Sequence, residues 1–371
     1  MRHHPLAFAT TLLTTALLIS PLAAQSAWQL PAFTRPTTAP VITPSNASTF
    51  KDPITHTSVH WEALHTFNPA AIVRDNKIFV LYRAEDDSGT MQIGMHTSRL
   101  GLASSSDGIH FKRLPAPVFF PAADSQQARE WPGGVEDPRI VEAPSTGNTH
   151  TYVITYTQWN RTTYSIGIAT SHDLVHWTKH GPAFFGSASG KYDTLQYKSG
   201  GIVTQLIADK LVAAKINGRY WMYWGELSIR LATSPDLIHW TPVEDAAGNP
   251  VEVLTKRPGH FDSGFPEVGP PPVLTSTGIV VLYNGKNDPT QGDPTLGQNA
   301  YAAGQALFDP TDPSHLIARD DAPSLKPEQP YEKTGQYVAG TTFAEGLVRF
   351  HKRWFLYYGC ADSAVGVVTS P

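Results

Sequence analysis

Gly101-Leu-Ala-Ser-Ser-Ser-Asp107-Gly-Ile-His-Phe111 reads as a strand of small and apolar residues that runs into an Asp-led turn and ends on an aromatic. The phrase returns as Gly167-Ile-Ala-Thr-Ser-His-Asp173-Leu-Val-His-Trp177 and as Arg230-Leu-Ala-Thr-Ser-Pro-Asp236-Leu-Ile-His-Trp240. The Asp-to-Asp steps are 66 and 63 residues, and a degenerate copy lies around residues 306–315. A fixed period of this kind marks a repeat architecture. An aspartate at such a turn bonds its own backbone, so the phrase also fixes where each strand stops.

A second phrase confirms the period. It is a β-rich run, an aromatic and a short polar tail, in five copies: Phe79-Val-Leu-Tyr82-Arg83-Ala-Glu85, Tyr152-Val-Ile-Thr-Tyr156-Thr-Gln158, Tyr220-Trp-Met-Tyr223-Trp-Gly-Glu226, Val280-Val-Leu-Tyr283-Asn284-Gly-Lys286 and Trp354-Phe-Leu-Tyr357-Tyr-Gly-Cys-Ala-Asp362. The tyrosine steps are 74, 67, 60 and 74 residues. Each unit holds short strands and turn signals, without a convincing amphipathic helix. The reading is all-β, a five-bladed β-propeller over residues 56–371, each blade a small antiparallel sheet. A β-sandwich with accidental repetition is the competing reading. It does not explain why every copy carries a polar tail at the same place. In a ring those tails converge on one axis and make a funnel. Closure is expected between a strand near residues 59–74 and the strands near 349–369.

Composition agrees. Of 371 residues 16% are charged, with 29 Gly, 31 Pro and nine Trp, which suits a turn-rich β protein. The net charge of −4 and the lack of a Lys/Arg run argue against a nucleic-acid partner. Residues 1–27 read as a signal peptide: Arg2, a largely apolar run from Leu6 to Leu22, then small residues Ala23, Ala24, Ser26 and Ala27. A secreted or periplasmic protein is expected, with no stable membrane insertion once the signal is removed; a short anchor is the alternative. Residues 28–55, rich in Pro, Thr and Ser, read as a tether or an irregular wrap. Cys360 is the only cysteine, so the fold relies on its core rather than an internal disulfide. The oligomeric state is left open.

Three segments carry chemistry. In Gly133-Gly-Val-Glu-Asp137-Pro-Arg139, a Gly pair and a rigid Pro hold Asp137 in a defined backbone. In Phe261-Asp262-Ser-Gly-Phe-Pro-Glu267, a carboxylate is held between Pro and Gly before an apolar strand. Glu226 ends the apolar run Tyr220–Trp224, so it borders a pocket or is hydrogen-bonded for stability. The bland readings are a turn Asp and a solvated loop. Glycoside cleavage needs two carboxyl groups in different roles, and Asp137, Glu226 and Glu267 are a sufficient set. No phosphate loop, zinc motif or nucleophile elbow is present, so no metal or cofactor is expected.

Phe67-Asn68-Pro69-Ala70, Leu81-Tyr82-Arg83-Ala-Glu, Val135-Glu-Asp137-Pro-Arg139, the Pro-rich run after Glu267 and Tyr358-Gly-Cys-Ala-Asp362 resemble glycoside hydrolase family 130. That family contains β-mannoside phosphorylases and β-mannosidases on five-bladed propellers. The resemblance implies a mannose-containing oligosaccharide or glycan as partner, Asp137 as general acid, and Asn68, Arg83 and Asp362 around the terminal mannose. Arg139, Asp262 and Asn284 join them as expected substrate contacts. The departures from the family are telling. Where the phosphorylases carry a Lys before the Pro-rich run, this chain has Glu267. Where they have a His in Tyr-His-Gly, it has Tyr283-Asn284-Gly285. A further basic position corresponds, by a looser match, to Glu226. Carboxylates repel a phosphate dianion and can deprotonate water, which favours hydrolysis of terminal β-mannosides, β-1,2-linked, with inversion, over phosphorolysis. Glu267 or Glu226 would activate the water, with the lean to Glu267. Lys198 and Arg161 could still form a partial anion site, so phosphorolysis is the alternative. A propeller glycosidase for arabinan or fructan and a non-catalytic glycan-binding propeller are further readings.

Overall fold

A computed structural model describes residues 1, 26–145, 147 and 149–370. The expected signal peptide falls almost wholly outside them. The chain forms five antiparallel meanders in sequence order. The first runs His65–Arg74, Lys77–Glu85, Ser98–Ser105 and Lys112–Arg113. The second runs Gly134–Glu142, Tyr152–Trp159, Tyr164–Ser171 and Trp177–Pro182. In the third, Gly200–Ile202, Arg219–Trp224 and Ile229–Ser234 pair in turn, with Thr241–Pro242 and Glu252–Leu254 outside them. Phe265–Val268 and Val273–Leu274 both pair with Ile279–Lys286 in the fourth, followed by Tyr301–Phe308 and Leu316–Arg319. Thr342–Phe350, Arg353–Cys360 and Ala364–Ser370 make the fifth. Helix is confined to Gln127–Glu130 and two 3-10 turns among the described residues.

The repeated phrases account for this order. Ser105, Ser171 and Ser234 close equivalent turns: Asp107 accepts from the amides of Ile109 and His110 at 2.9 Å, Asp173 from Val175 and His176 at 2.8 and 2.7 Å, and Asp236 from Ile238 and His239 at 3.0 and 2.9 Å. The degenerate copy does the same with Asp309, which accepts from Thr311 and Asp312. Each turn satisfies backbone donors that the ending strand would otherwise leave open.

The core lies between meanders. Leu81, Leu100, Ile140 and Ile154 pack first against second; Ile168, Ile202 and Met222 second against third; Leu231, Val268 and Val281 third against fourth; Leu282, Leu307, Leu347 and Leu356 fourth against fifth. Tyr82, Val80, Phe355 and Tyr357 then join the fifth to the first. These faces are apolar because alternate residues of each strand point to one side.

Residues 28–55 form a wrap with its own pairing. Thr34 and Thr369 exchange backbone hydrogen bonds at 2.8 Å, and Ile42 accepts from Val365 at 2.9 Å. The final strand Ala364–Ser370 is therefore paired on its free side by residues 34–42, not by 59–74. The strand His65–Arg74 is paired with Lys77–Glu85 and packs against all three strands of the fifth meander without forming a ladder with them. Arg35 anchors the wrap to Glu332 at 2.8 Å, and Asp52 does so through Arg99 at 2.6 Å.

Candidate active site

The polar tails of four of the five meanders meet in one cavity of about 340 Å³, to which the fourth contributes Glu267 from a different strand. The first meander supplies Asn68 and Arg83, the second Glu136, Asp137 and Thr157, the third Lys198 and Glu226, the fourth Glu267, and the fifth Asp362. Aromatic faces complete the wall: Phe67, Trp159, Tyr164, Tyr301, Tyr337 and Phe343.

Backbone irregularities aim the key side chains. The register shifts between Phe67 and Pro69 and again between Glu136 and Arg139, so Asn68 and Asp137 each sit in a bulge. Their φ values are 42° and 48°, and Asp362 has 51° in the turn after its strand. Non-glycine residues adopt this left-handed region at a cost, and such costs cluster at functional sites. Here the strain turns two side chains off the pleat and into the cavity. Asn68 Nδ2 donates to Asp137 Oδ1 at 2.9 Å, and Arg83 Nη1 does so at 3.1 Å. Arg83 also reaches Glu85 at 2.7 Å and Glu136 at 2.8 Å. Gly359 lies under this group: a Cβ there would come within 2.2 Å of Asn68 Oδ1.

Across the cavity, Ser199 Oγ donates to Glu267 Oε1 at 2.6 Å. Lys198 Nζ lies 3.3 Å from Glu226 and 3.7 Å from Glu267. Of the two cations allowed by the sequence for a partial anion site, Lys198 is thus present in the cavity. The cavity is lined by five carboxylates and two cations, Arg83 and Lys198, and each cation is already engaged by two or more carboxylates. Arg161 is not part of the lining.

Burial and charge set the protonation. Burial pushes Glu136 and Asp362 each up to about 7, against the pull of Arg83. Burial also works to raise Asp137, but Arg83, Lys198, Arg139 and the Asn68 hydrogen bond outweigh it and hold its carboxyl low. Glu267 is raised by burial, opposed by Lys198. The Lys198 ammonium is held charged, well above its usual range, by Glu267, Glu226 and Asp137 despite burial. The lowered Asp137 and the raised Glu267 run in the reverse order to the acid and base roles expected of them.

Three expected substrate contacts lie behind the wall. Arg139 donates to the carbonyls of Asp137, Val268 and Gly269. Asp262 is buried between Arg257 and Arg319 at 2.9 and 2.7 Å and accepts from Tyr283. Asn284 exchanges hydrogen bonds with the backbone of Ala344 at 3.0 and 2.8 Å. None of the three lines the cavity, and their polar groups are engaged by the protein, which corrects that expectation. Conversely, Glu136, Thr157, Trp159 and Tyr164 line it without having been assigned a role. Thr157 lies in the second copy of the polar-tail phrase, one residue after its tyrosine as Arg83 is, and that position was the available signal.

A family model described as beta-1,4-mannooligosaccharide phosphorylase matches residues 32–371. The chain belongs to glycoside hydrolase family 130. Among relatives of this family, the 1,2-beta-oligomannan phosphorylase of Thermoanaerobacter sp. (strain X514) is 31% identical over 83% of this chain and 90% of its own. A glycosyl hydrolase from Bacteroides ovatus has a solved structure that superposes with a TM-score of 0.89 at 50% identity, covering 93% of this chain and 95% of that one. A third, with a TM-score of 0.90, 51% identity and coverage of 93% and 95%, is described as "The GH130 family of mannoside phosphorylases contains glycoside hydrolases that target beta-1,2 mannosidic linkages in Candida mannan". The family 130 match spans all five meanders and the wrap from residue 32 onward.

Proposed function

We propose that this chain is an exported family 130 hydrolase, a five-bladed β-propeller that removes terminal β-1,2-linked mannose with inversion. The ring is supported by the five apolar clusters, each shared by consecutive meanders and the last by the fifth and first. Export rests on the apolar run and small residues of the first 27 positions.

The observation that carries hydrolysis is Lys198 lying between Glu226 and Glu267. An incoming phosphate dianion meets two carboxylates whose cation is already taken, and like charges in a buried site cost several kcal/mol, by rough estimate. Water meets two bases. Asn68, Arg83 and Asp362 grip hydroxyls of the terminal sugar by directional hydrogen bonds, and the aromatic wall takes its C–H faces. Asp137 delivers a proton to the glycosidic oxygen, directly or through a sugar hydroxyl, as the C1–O bond breaks. Glu267 takes a proton from the water whose oxygen bonds to C1 on the opposite face. The products are α-mannose and the shortened glycan, and exchange with solvent restores both carboxyls. Arg83 and Lys198 hold the Asp137 carboxyl low, so its role as acid requires bound sugar to raise it, as exclusion of water from around a carboxylate does. Relatives about half identical to this chain are described as hydrolases, which supports the same reading.

Glu267→Gln, assayed on β-1,2-mannobiose in phosphate-free buffer, is expected to lose about 10²-fold or more in rate while still binding mannose. Undiminished turnover contradicts the assignment of Glu267 as base. A second reading, phosphorolysis, is favoured by Lys198 itself and by the phosphorylase relative. It requires Lys198 to leave its glutamates for phosphate.

A further inference from the structure

Arg139 is almost fully buried and touches three segments with one planar group. Its Nη1 donates to the carbonyl of Asp137 at 2.9 Å, its Nη2 to that of Val268 at 2.8 Å and its Nε to that of Gly269 at 3.2 Å. Nη1 also lies 2.8 Å from Glu345, which is completely buried. Val268 follows Glu267 in the chain, so the backbones that carry the two opposed carboxylates hang on one guanidinium. We propose that Arg139, braced by Glu345, is a positioning residue that fixes Asp137 and Glu267 relative to each other across the cavity. This rests on the acid and base roles given above.

Local geometry explains why such a clamp is needed. Asp137 sits in a bulge at φ 48°, a conformation its own strand pairing does not enforce. Surroundings must hold it there. Glu345 is itself the extra residue of a bulge, between Ala344 and Gly346, and that bulge turns it inward onto Arg139. Asn284 locks the same place: it pairs in register with Glu267 and hydrogen-bonds both ways to the Ala344 backbone. Second, fourth and fifth meanders are thereby tied at one point behind the cavity. Arg suits this task because its donors keep fixed angles, which a lysine cannot reproduce. The burial of both side chains keeps them from the sugar, so their effect is on geometry, not on substrate contact.

The test is a double-mutant cycle on β-1,2-mannobiose in phosphate-free buffer. Arg139→Lys is expected to lower kcat by about 10²-fold, the scale of a displacement near 1 Å, with KM changed by less than about 3-fold. In a Glu267→Gln background the same change should cost at least about 10-fold less than in the parent, because one of the two groups it positions is gone. A kcat close to the parent, or two losses that multiply in full, overturns the proposal. Glu345→Leu keeps most of the volume and removes the acceptor that braces Arg139. It serves if Arg139→Lys does not fold, and must show the same kcat-only loss and the same reduced loss beside Glu267→Gln. Failure of the acid–base reading shows separately, as a Glu267→Gln variant with full activity.

Discussion

Lys198 and Asn68 set the behaviour of single groups at this site. Lys198 pulls down the carboxyl of Glu267 that burial raises. Lys198→Met removes that pull, so the base stays protonated to higher pH. The acid limb of the kcat/KM profile is expected to move upward in pH, readable in a pH–rate series with β-1,2-mannobiose. A second change acts through space alone. Gly359→Ala would drive a Cβ to 2.2 Å from Asn68 Oδ1 and displace a side chain that holds Asp137. A loss of about 10²-fold in kcat is expected, with the far-UV spectrum unchanged. Asp137 and Glu267 were legible in the sequence because Pro and Gly flank them. Arg139, Asp262 and Asn284 were read as sugar contacts because polar residues in a motif look alike in sequence. Only register decides that the side chain of Asn284 reaches a neighbouring backbone and not the cavity.

The Asp-led turns and the polar tails show how elements divide the work. Asp173 accepts two backbone hydrogen bonds at an exposed turn that does not line the cavity. Asp173→Ala is expected to destabilise by about 1 kcal/mol, measured by denaturant unfolding, and to leave kcat unaltered. The polar tails behave differently. Arg83, Thr157, Glu226 and Asp362 reach the cavity, whereas Asn284 does not. The tails were readable as a set because each follows the aromatic end of an equivalent strand, although the residue that reaches the cavity differs in its distance from that aromatic. The bulges at Asn68, Asp137 and Glu345 were not, since an extra residue in one strand shows only against its partner.

Fold and site are joined at the scale of the whole molecule by the wrap and by buried charge. Arg35 ties the wrap to Glu332, whose side chain is fully buried. Arg35→Met is expected to cost about 3 kcal/mol, the low end for breaking a buried pair, seen as a lower Tm. Stability also depends on pH. Glu136 and Asp362 have folded carboxyls near 7 against ordinary values of 4.5 and 3.8. Raised folded values mean that the folded state binds protons more tightly. Their contribution is full below the ordinary values and is lost as pH climbs to about 7. Tm is therefore expected to fall across that window, and Glu136→Gln to flatten the fall. The repeat period made the five-unit order legible, while the pairing of residues 34–42 with the last strand was hidden in a segment whose composition suggests only loop.

The central claim is that water, not phosphate, is the attacking group. Proton NMR of β-1,2-mannobiose turnover in phosphate-free buffer tests it most directly. The account predicts immediate turnover, with the α-anomer of mannose as the first new signal. No turnover until phosphate is added, followed by mannose 1-phosphate, would contradict it.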